Sequence, residues 1–185
     1  MNVRADNSKI PDKTLRRLLV RRAPTGRSQA ILQAGPLRLR AAIGRSQTTS
    51  RKREGDGATP IATMKLISGY LRGDRVRETR TALPVRRALA HMLWCDAPEH
   101  ASYNRAVNAP FRPSHERLVR DDELYDICIV MDWNLSARKR GCGSAIFFHI
   151  ARPGYPPTEG CVALHPRDMR RLLPFLTART SLQVL

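Results

Sequence analysis

No apolar run in this chain of 185 residues approaches the roughly 20 residues that a helical membrane span requires. Aromatic residues make up only 5% of the sequence, too few for a surface on which bases stack between interleaved rings. Neither a zinc-finger spacing nor a ribonucleoprotein aromatic motif is present, and no nucleic-acid partner is expected. Cys-x-x-Cys pairs are missing as well: the cysteines are Cys95, Cys128, Cys142 and Cys161. Cys142, His149, Cys161 and His165 are ligand types that suit zinc. Their six, eleven and three intervening residues lack the paired clusters of common structural sites, so no metal is expected. In an exported protein a Cys95–Cys128 or a Cys128–Cys142 bridge is open, and the sequence does not choose between them. No internal repeat is visible.

Acidic residues are scarce in one region. Residues 1–53 carry fourteen Lys and Arg against Asp6 and Asp12, a net +12 of the formal +17. Such a front end attracts polyanions of any kind, whether nucleic acid, anionic lipid or a carboxylate-rich wall polymer, and charge alone does not select one.

What is present describes a globular protein. Hydrophobic residues at 42% and a length of 185 residues fit one domain with a tail. Thirteen prolines and eleven glycines among short apolar runs predict strands more than long helices. The expected architecture is mainly β, a sandwich or barrel-like sheet with a C-terminal helix and few others. Residues 1–25 read as a basic extension, in which Leu15, Leu18 and Leu19 have the spacing of a short helix over Lys13 to Arg22. Residues 26–185 form the folded domain. Leu37 to Ile43 alternates as a half-buried strand does, after a turn at Gly35-Pro36. Residues 51–60 read as a loop, and Ile61 to Ser68 as a strand. Residues 84–120 show little periodicity and read as an irregular insertion of the binding-loop or lid type, with Trp94 as a packing anchor. Tyr125 to Trp133 is the clearest strand, followed by Asn134 as a turn residue. Pro166 at a helix start, Asp168 in its first turn and an apolar face of Met169, Leu172, Leu173 and Leu176 predict the C-terminal helix.

The chemistry concentrates near the end of the chain. His149 closes the apolar run Ser144-Ala145-Ile146-Phe147-Phe148, and after eleven intervening residues Cys161 stands in Thr158-Glu159-Gly160-Cys161. A thiol attacks as thiolate, and a nearby imidazole removes its proton and stabilises the anion. Gly160 permits a tight turn before the cysteine, so that amide N–H groups can face a developing oxyanion. Pro153, Pro156 and Pro157 stiffen the connecting loop. An activated Cys161 is expected to label rapidly with thiol reagents in a His149-dependent way. A non-catalytic wall- or nucleic-acid-binding protein, driven by the basic front half, would leave it unreactive.

These residues resemble the L,D-transpeptidase (YkuD/ErfK) catalytic-domain family, which has a histidine, a spacer and a Ser/Thr-His-Gly-Cys segment followed by an apolar residue; His149, Thr158, Gly160, Cys161 and Val162 match it. The runs Lys52 to Pro60, Ser114 to Leu118, Leu124 to Ile127 and Gly143 to His149 extend the likeness to one branch, over roughly residues 26–177. Glu159 departs from the pattern, standing where many members have a second histidine, and the spacer is shorter than in many of them. The resemblance implies acyl transfer on peptidoglycan stem peptides, with no metal or organic cofactor. Cys161 would attack the carbonyl at the L-centre of a diamino acid and expel terminal D-alanine. His149 would act as base and then acid, Gly160 and Cys161 would offer backbone N–H groups to the oxyanion, and Thr158 would shape the turn. Transfer to an amine gives cross-links, and transfer to water gives L,D-carboxypeptidase activity; the sequence does not separate the two. It does not give the oligomeric state either. Such a substrate lies outside the cytoplasmic membrane, so a periplasmic or envelope location is expected. Yet Leu18-Leu19-Val20 falls far short of a signal-peptide core, and Arg21-Arg22 is not followed by an apolar stretch. An unrecognised export route, a different native start, or a cytoplasmic enzyme on soluble stem-peptide material all fit these facts.

Overall fold

The computed structural model describes residues 14–24, 26–76 and 80–185. Its first element corrects the helix expected over Lys13 to Arg22: β1 (Arg17–Arg22) is a strand. Leu18 and Val20 are buried while Arg17 and Arg21 are exposed, a period of two. Two neighbours supply its backbone bonds, and this pairing outweighs a leucine stripe too short to nucleate a helix alone. β1 therefore belongs to the main sheet, and the boundary drawn between residues 25 and 26 does not divide the fold there; residues 1–13 of that extension lie outside the described residues.

β2 (Gln29–Ala34) and β3 (Leu37–Ala42) form the expected hairpin, with Gly35 at φ 58° in its turn. β4 (Thr48–Thr49) and β5 (Thr59–Pro60) are a short parallel pair that brackets the loop at 51–58. The long strand β6 (Thr63–Leu71) follows, then β7 (Val85–Arg87) on its edge. The stretch expected to be irregular contains a small antiparallel sheet: β8 (Met92–Cys95) lies between β9 (Arg105–Asn108) and β10 (His115–Arg117). β11 (Ile127–Met131), β12 (Phe147–Ile150) and β13 (Val162–Leu164) lead to α1 (Pro166–Leu172), a 3₁₀ turn and β14 (Ser181–Val184).

Eight strands close into a ring in the order β11-β12-β13-β3-β2-β1-β14-β6, with β6 pairing back to β11. In a barrel of this size the interior is filled by side chains. Leu18, Leu32, Leu66, Ile129, Phe148, Val162 and Leu182 fill it, and Met169, Leu172 and Leu173 of the helical segment join the same core. A second core lies on the outer face of β6, β11, β12 and β13, under the small sheet. Tyr70, Cys128, Val130, Phe147 and Cys161 meet Trp94 and Leu118 there. Strands buried on both faces read as continuous apolar runs, which is why β11 and β12 were legible.

Candidate functional site

β12 and β13 run parallel, with Phe148 opposite Val162 and His149 opposite Ala163. Phe148 and Val162 point into the barrel, so His149 and Cys161, each one residue away, both point out. They line one cleft of about 230 Å³, together with Ser144, Ala145, Tyr125, Glu116, Arg120 and the Pro156 to Glu159 segment. The sequence-predicted pair is thus brought to one cavity, between the barrel and the small sheet.

The His149 ring is 4% exposed, and its Nδ1 lies 2.8 Å from the carbonyl oxygen of Ile150. A carbonyl only accepts, so Nδ1 carries the hydrogen and Nε2 is left as a lone-pair acceptor. Burial pulls the imidazole pKa down to about 4, opposed by the bond to Ile150. The edge of the Tyr125 ring packs on it, with centroids 5.3 Å apart. Cys161 is 8% exposed. Its thiol donates to the Ala145 carbonyl at 3.3 Å and accepts from the Phe147 N–H at 3.3 Å. Burial pushes the thiol up to about 12, with the Phe147 N–H acting the other way. No hydrogen bond joins the imidazole to the thiol, so the resting site holds two neutral groups. Rapid labelling of the free protein is therefore not the expected signature, because a buried neutral thiol reacts more slowly than a model one.

The turn before Cys161 is over-determined. The Thr158 hydroxyl donates to the Cys161 carbonyl at 2.7 Å and accepts from the Gly160 N–H at 3.2 Å. The Thr59 hydroxyl donates to the same carbonyl at 3.3 Å. Thr158 is also tied to the chain after β3, through Arg45 N–H to its carbonyl at 2.8 Å and its own N–H to Ile43 at 2.9 Å. Gly160 has φ 128°, and a Cβ there would lie 2.8 Å from the Ala58 carbonyl oxygen and 3.3 Å from Lys52 Nζ. Gly160→Ala is expected to cost about 2 kcal/mol, from the strained φ and the clash with backbone. Urea unfolding checks this; a loss below about 0.5 kcal/mol would show that the turn yields freely.

Several residues at the site had no role assigned from the sequence, although most fall in the runs that carry the family likeness. Lys52 is buried and ion-paired with Asp56 behind Gly160, and Asp56 also accepts the N–H groups of Arg53 at 2.8 Å and Ala58 at 2.9 Å. Glu54 accepts from Tyr103 and from the Ser144 hydroxyl, the latter at 2.8 Å. Asn104 Oδ1 accepts from Ala145 N–H and from Trp94 Nε1, each at 3.1 Å, and so fixes the carbonyl that receives the thiol hydrogen. Glu116 enters the cleft with its carboxyl pKa raised, chiefly by burial. Asp96 Oδ1, also at the cleft, is buried without a partner. Glu159 is exposed and paired with Arg45, whose Nη2 also donates to the Gly55 carbonyl at 3.2 Å. The loop at 51–58 and the small sheet thus form two walls of the cleft.

Other sequence readings resolve here. Trp94 packs edge-on against Phe147 at 5.3 Å, and Asn134 closes a turn by donating to Lys139 and Gly143. The four ligand types considered for zinc are dispersed: His165 caps α1, its Nδ1 accepting from Arg167 N–H. Among the described residues no three His, Cys, Asp or Glu side chains gather as metal ligands. All four cysteines are free. Among the described residues no helix is long and apolar enough to cross a membrane.

The family model for YkuD, the L,D-transpeptidase catalytic domain, matches residues 21–184. No curated protein and no solved structure matches the chain.

Proposed function

Because the chain belongs to the YkuD family of L,D-transpeptidase catalytic domains, we propose that it is an L,D-transpeptidase acting on peptidoglycan stem peptides, with Cys161 as nucleophile and His149 as the proton carrier. The observation that carries this reading is that both side chains line one cleft while His149 presents a bare Nε2. As sulfur attacks the carbonyl at the L-centre of the diamino acid, its proton passes to Nε2 and a tetrahedral oxyanion forms. The Cys161 N–H is the favoured oxyanion donor, since the Gly160 N–H already donates to Thr158. Collapse of the intermediate breaks the C–N bond, and the imidazolium returns the proton to the departing D-alanine amine. An acceptor amine then attacks the thioester and gives its proton to His149, and the thiol is restored. Thr158 holds the turn that aims Cys161. Work on the assembled wall would call for a place in the cell envelope, and work on soluble stem-peptide material for one in the cytoplasm.

Incubating the protein with tetrapeptide muropeptides should release D-alanine and leave an acyl group on the Cys161 peptide, seen by mass. D-alanine release with no cross-linked product would make the enzyme an L,D-carboxypeptidase. Binding to wall material with neither release nor adduct would favour a non-catalytic basic binder.

Glu159, a carboxylate at the cleft mouth, would either attract an acceptor ammonium or activate water, and the first of these favours transfer. Its side chain is 75% exposed and shared with Arg45, so the effect is modest. Glu159→Gln is expected to lower the ratio of dimers to trimmed monomers about threefold, with D-alanine release within about twofold of the parent. An unchanged ratio removes Glu159 from acceptor binding.

A further inference from the structure

The outer face of β1, β2 and β3, which begins beside β13 and runs away from the cleft around the ring, carries a group of arginines that the proposed reaction does not use. In the ring of eight strands β1 stands four places from β12, and β14 four places from β13, so the outer face of β1 and its neighbours looks away from Cys161. Strand register decides which side chains share it. Arg17 and Arg21 project outward from β1, Arg38 and Arg40 from β3, and all four are exposed. Arg21 and Arg40 flank Ile31 of β2 in one cross-strand row. No Asp or Glu occupies an outward position on β6, β14, β1, β2 or β3. Among the described residues none of the four arginines is in an ion pair; Arg40 alone is engaged, over the Tyr155 ring at 4.5 Å. Lys65 stands further along this face, where Asp132 accepts its backbone N–H at 2.8 Å. Two of the few large apolar side chains left in solvent are here as well, Ile31 at 38% and Ile67 at 40% exposure.

We propose that this face docks on an anionic lipid surface, with guanidinium groups on lipid phosphates and Ile31 entering the headgroup boundary. Guanidinium suits phosphate through its fork of donors. Each cation held near such a surface adds attraction that salt weakens. Duplex phosphates would use the same charges but have no use for an isoleucine centred between arginines, whereas a lipid surface buries it.

The test is sedimentation of the full chain with vesicles of phosphatidylglycerol in phosphatidylcholine, against phosphatidylcholine alone. Binding is expected only to the former and is lost at high salt. The triple variant Arg21→Gln, Arg38→Gln, Arg40→Gln should bind roughly a hundredfold more weakly. Arg87→Gln, Arg105→Gln, Arg112→Gln removes equal charge from exposed positions elsewhere and should bind like the parent. Ile31→Ser, which changes no charge, should weaken binding about fivefold. Should the face triple misfold, Arg38→Gln alone and Ile31→Ser keep the comparison. Equal losses in the two triples, or no effect of Ile31→Ser, would overturn the proposal. So would tighter binding of duplex DNA than of vesicles with the same dependence on the face. Muropeptide turnover free in solution should be unchanged in the face triple, which keeps this result separate from the fate of the enzymatic reading.

Discussion

Cys161→Ala is expected to reduce D-alanine release to background, at least about 10⁴-fold below the parent, while leaving the fold intact. The two outcomes separate because the sulfur matters little to stability. Its polar contacts are two hydrogen bonds at 3.3 Å, thiols are weak donors and acceptors, and its apolar packing in the second core is kept in part by the alanine methyl. Its loss should cost about 1 kcal/mol. Cys161→Ser is not expected to rescue activity, because a hydroxyl is harder to deprotonate than the thiol and His149, with its pKa pulled down to about 4, is a weak base. A neutral pair can still work despite that weakness. A thiolate and an imidazolium formed together stabilise each other, and substrate that fills the cleft excludes the water that would screen them. Iodoacetamide should therefore modify Cys161 of the free protein more slowly than a model thiol at neutral pH, although acylation by muropeptide proceeds. Persistence of D-alanine release in Cys161→Ala would falsify the assignment of the nucleophile. Rapid alkylation of the free enzyme would instead show that the thiolate is already formed without substrate.

The positions of Cys161 and His149 were legible because each lies at a junction that local chemistry marks. One follows a glycine turn, and the other sits in a strand buried on both faces. The Gly35-Pro36 turn and the helix start at Pro166 were legible for the same reason, since backbone constraints of single residues punctuate the chain there. β1, β14 and the small sheet were not. Their strands are three to six residues long, and two of them, β9 and β10, carry polar or charged side chains that show no period of their own. What makes them strands is the neighbour they pair with, far away in sequence. The same holds for the charges at the site. Nothing in its charge distinguishes Lys52 from Arg51 and Arg53 beside it, and only the approach of Gly143 and Gly160, each about a hundred residues later, buries it. Burial also pushes the Cys161 thiol up and the His149 imidazole down, an effect of distant packing that the motif does not carry.

His149→Gln should lower acylation by about 10³-fold, and it should also change how the protein responds to acid. In the folded protein the imidazole has a pKa of about 4, against about 6.5 in an unfolded chain. Between those values the unfolded state binds a proton that the folded state refuses. Stability therefore rises with pH through that window, is level above it, and is lost on acidification. For the parent the loss between neutral pH and pH of about 4.5 is on the order of 2–3 kcal/mol from this group. Glutamine has no such proton. Burial raises the carboxyls of Glu116 and Asp126, which acts in the opposite sense, but both remain in the variant and cancel from the comparison. Urea unfolding of parent and variant at the two pH values should show the parent losing the larger share, and the acid limb of the parent's kcat/KM should fall well below the ordinary imidazole value. Parallel losses would mean that the ring is protonated in the folded state at mildly acid pH. In that case burial would not hold the imidazole neutral, and His149 would meet the thiol as an ordinary imidazole base.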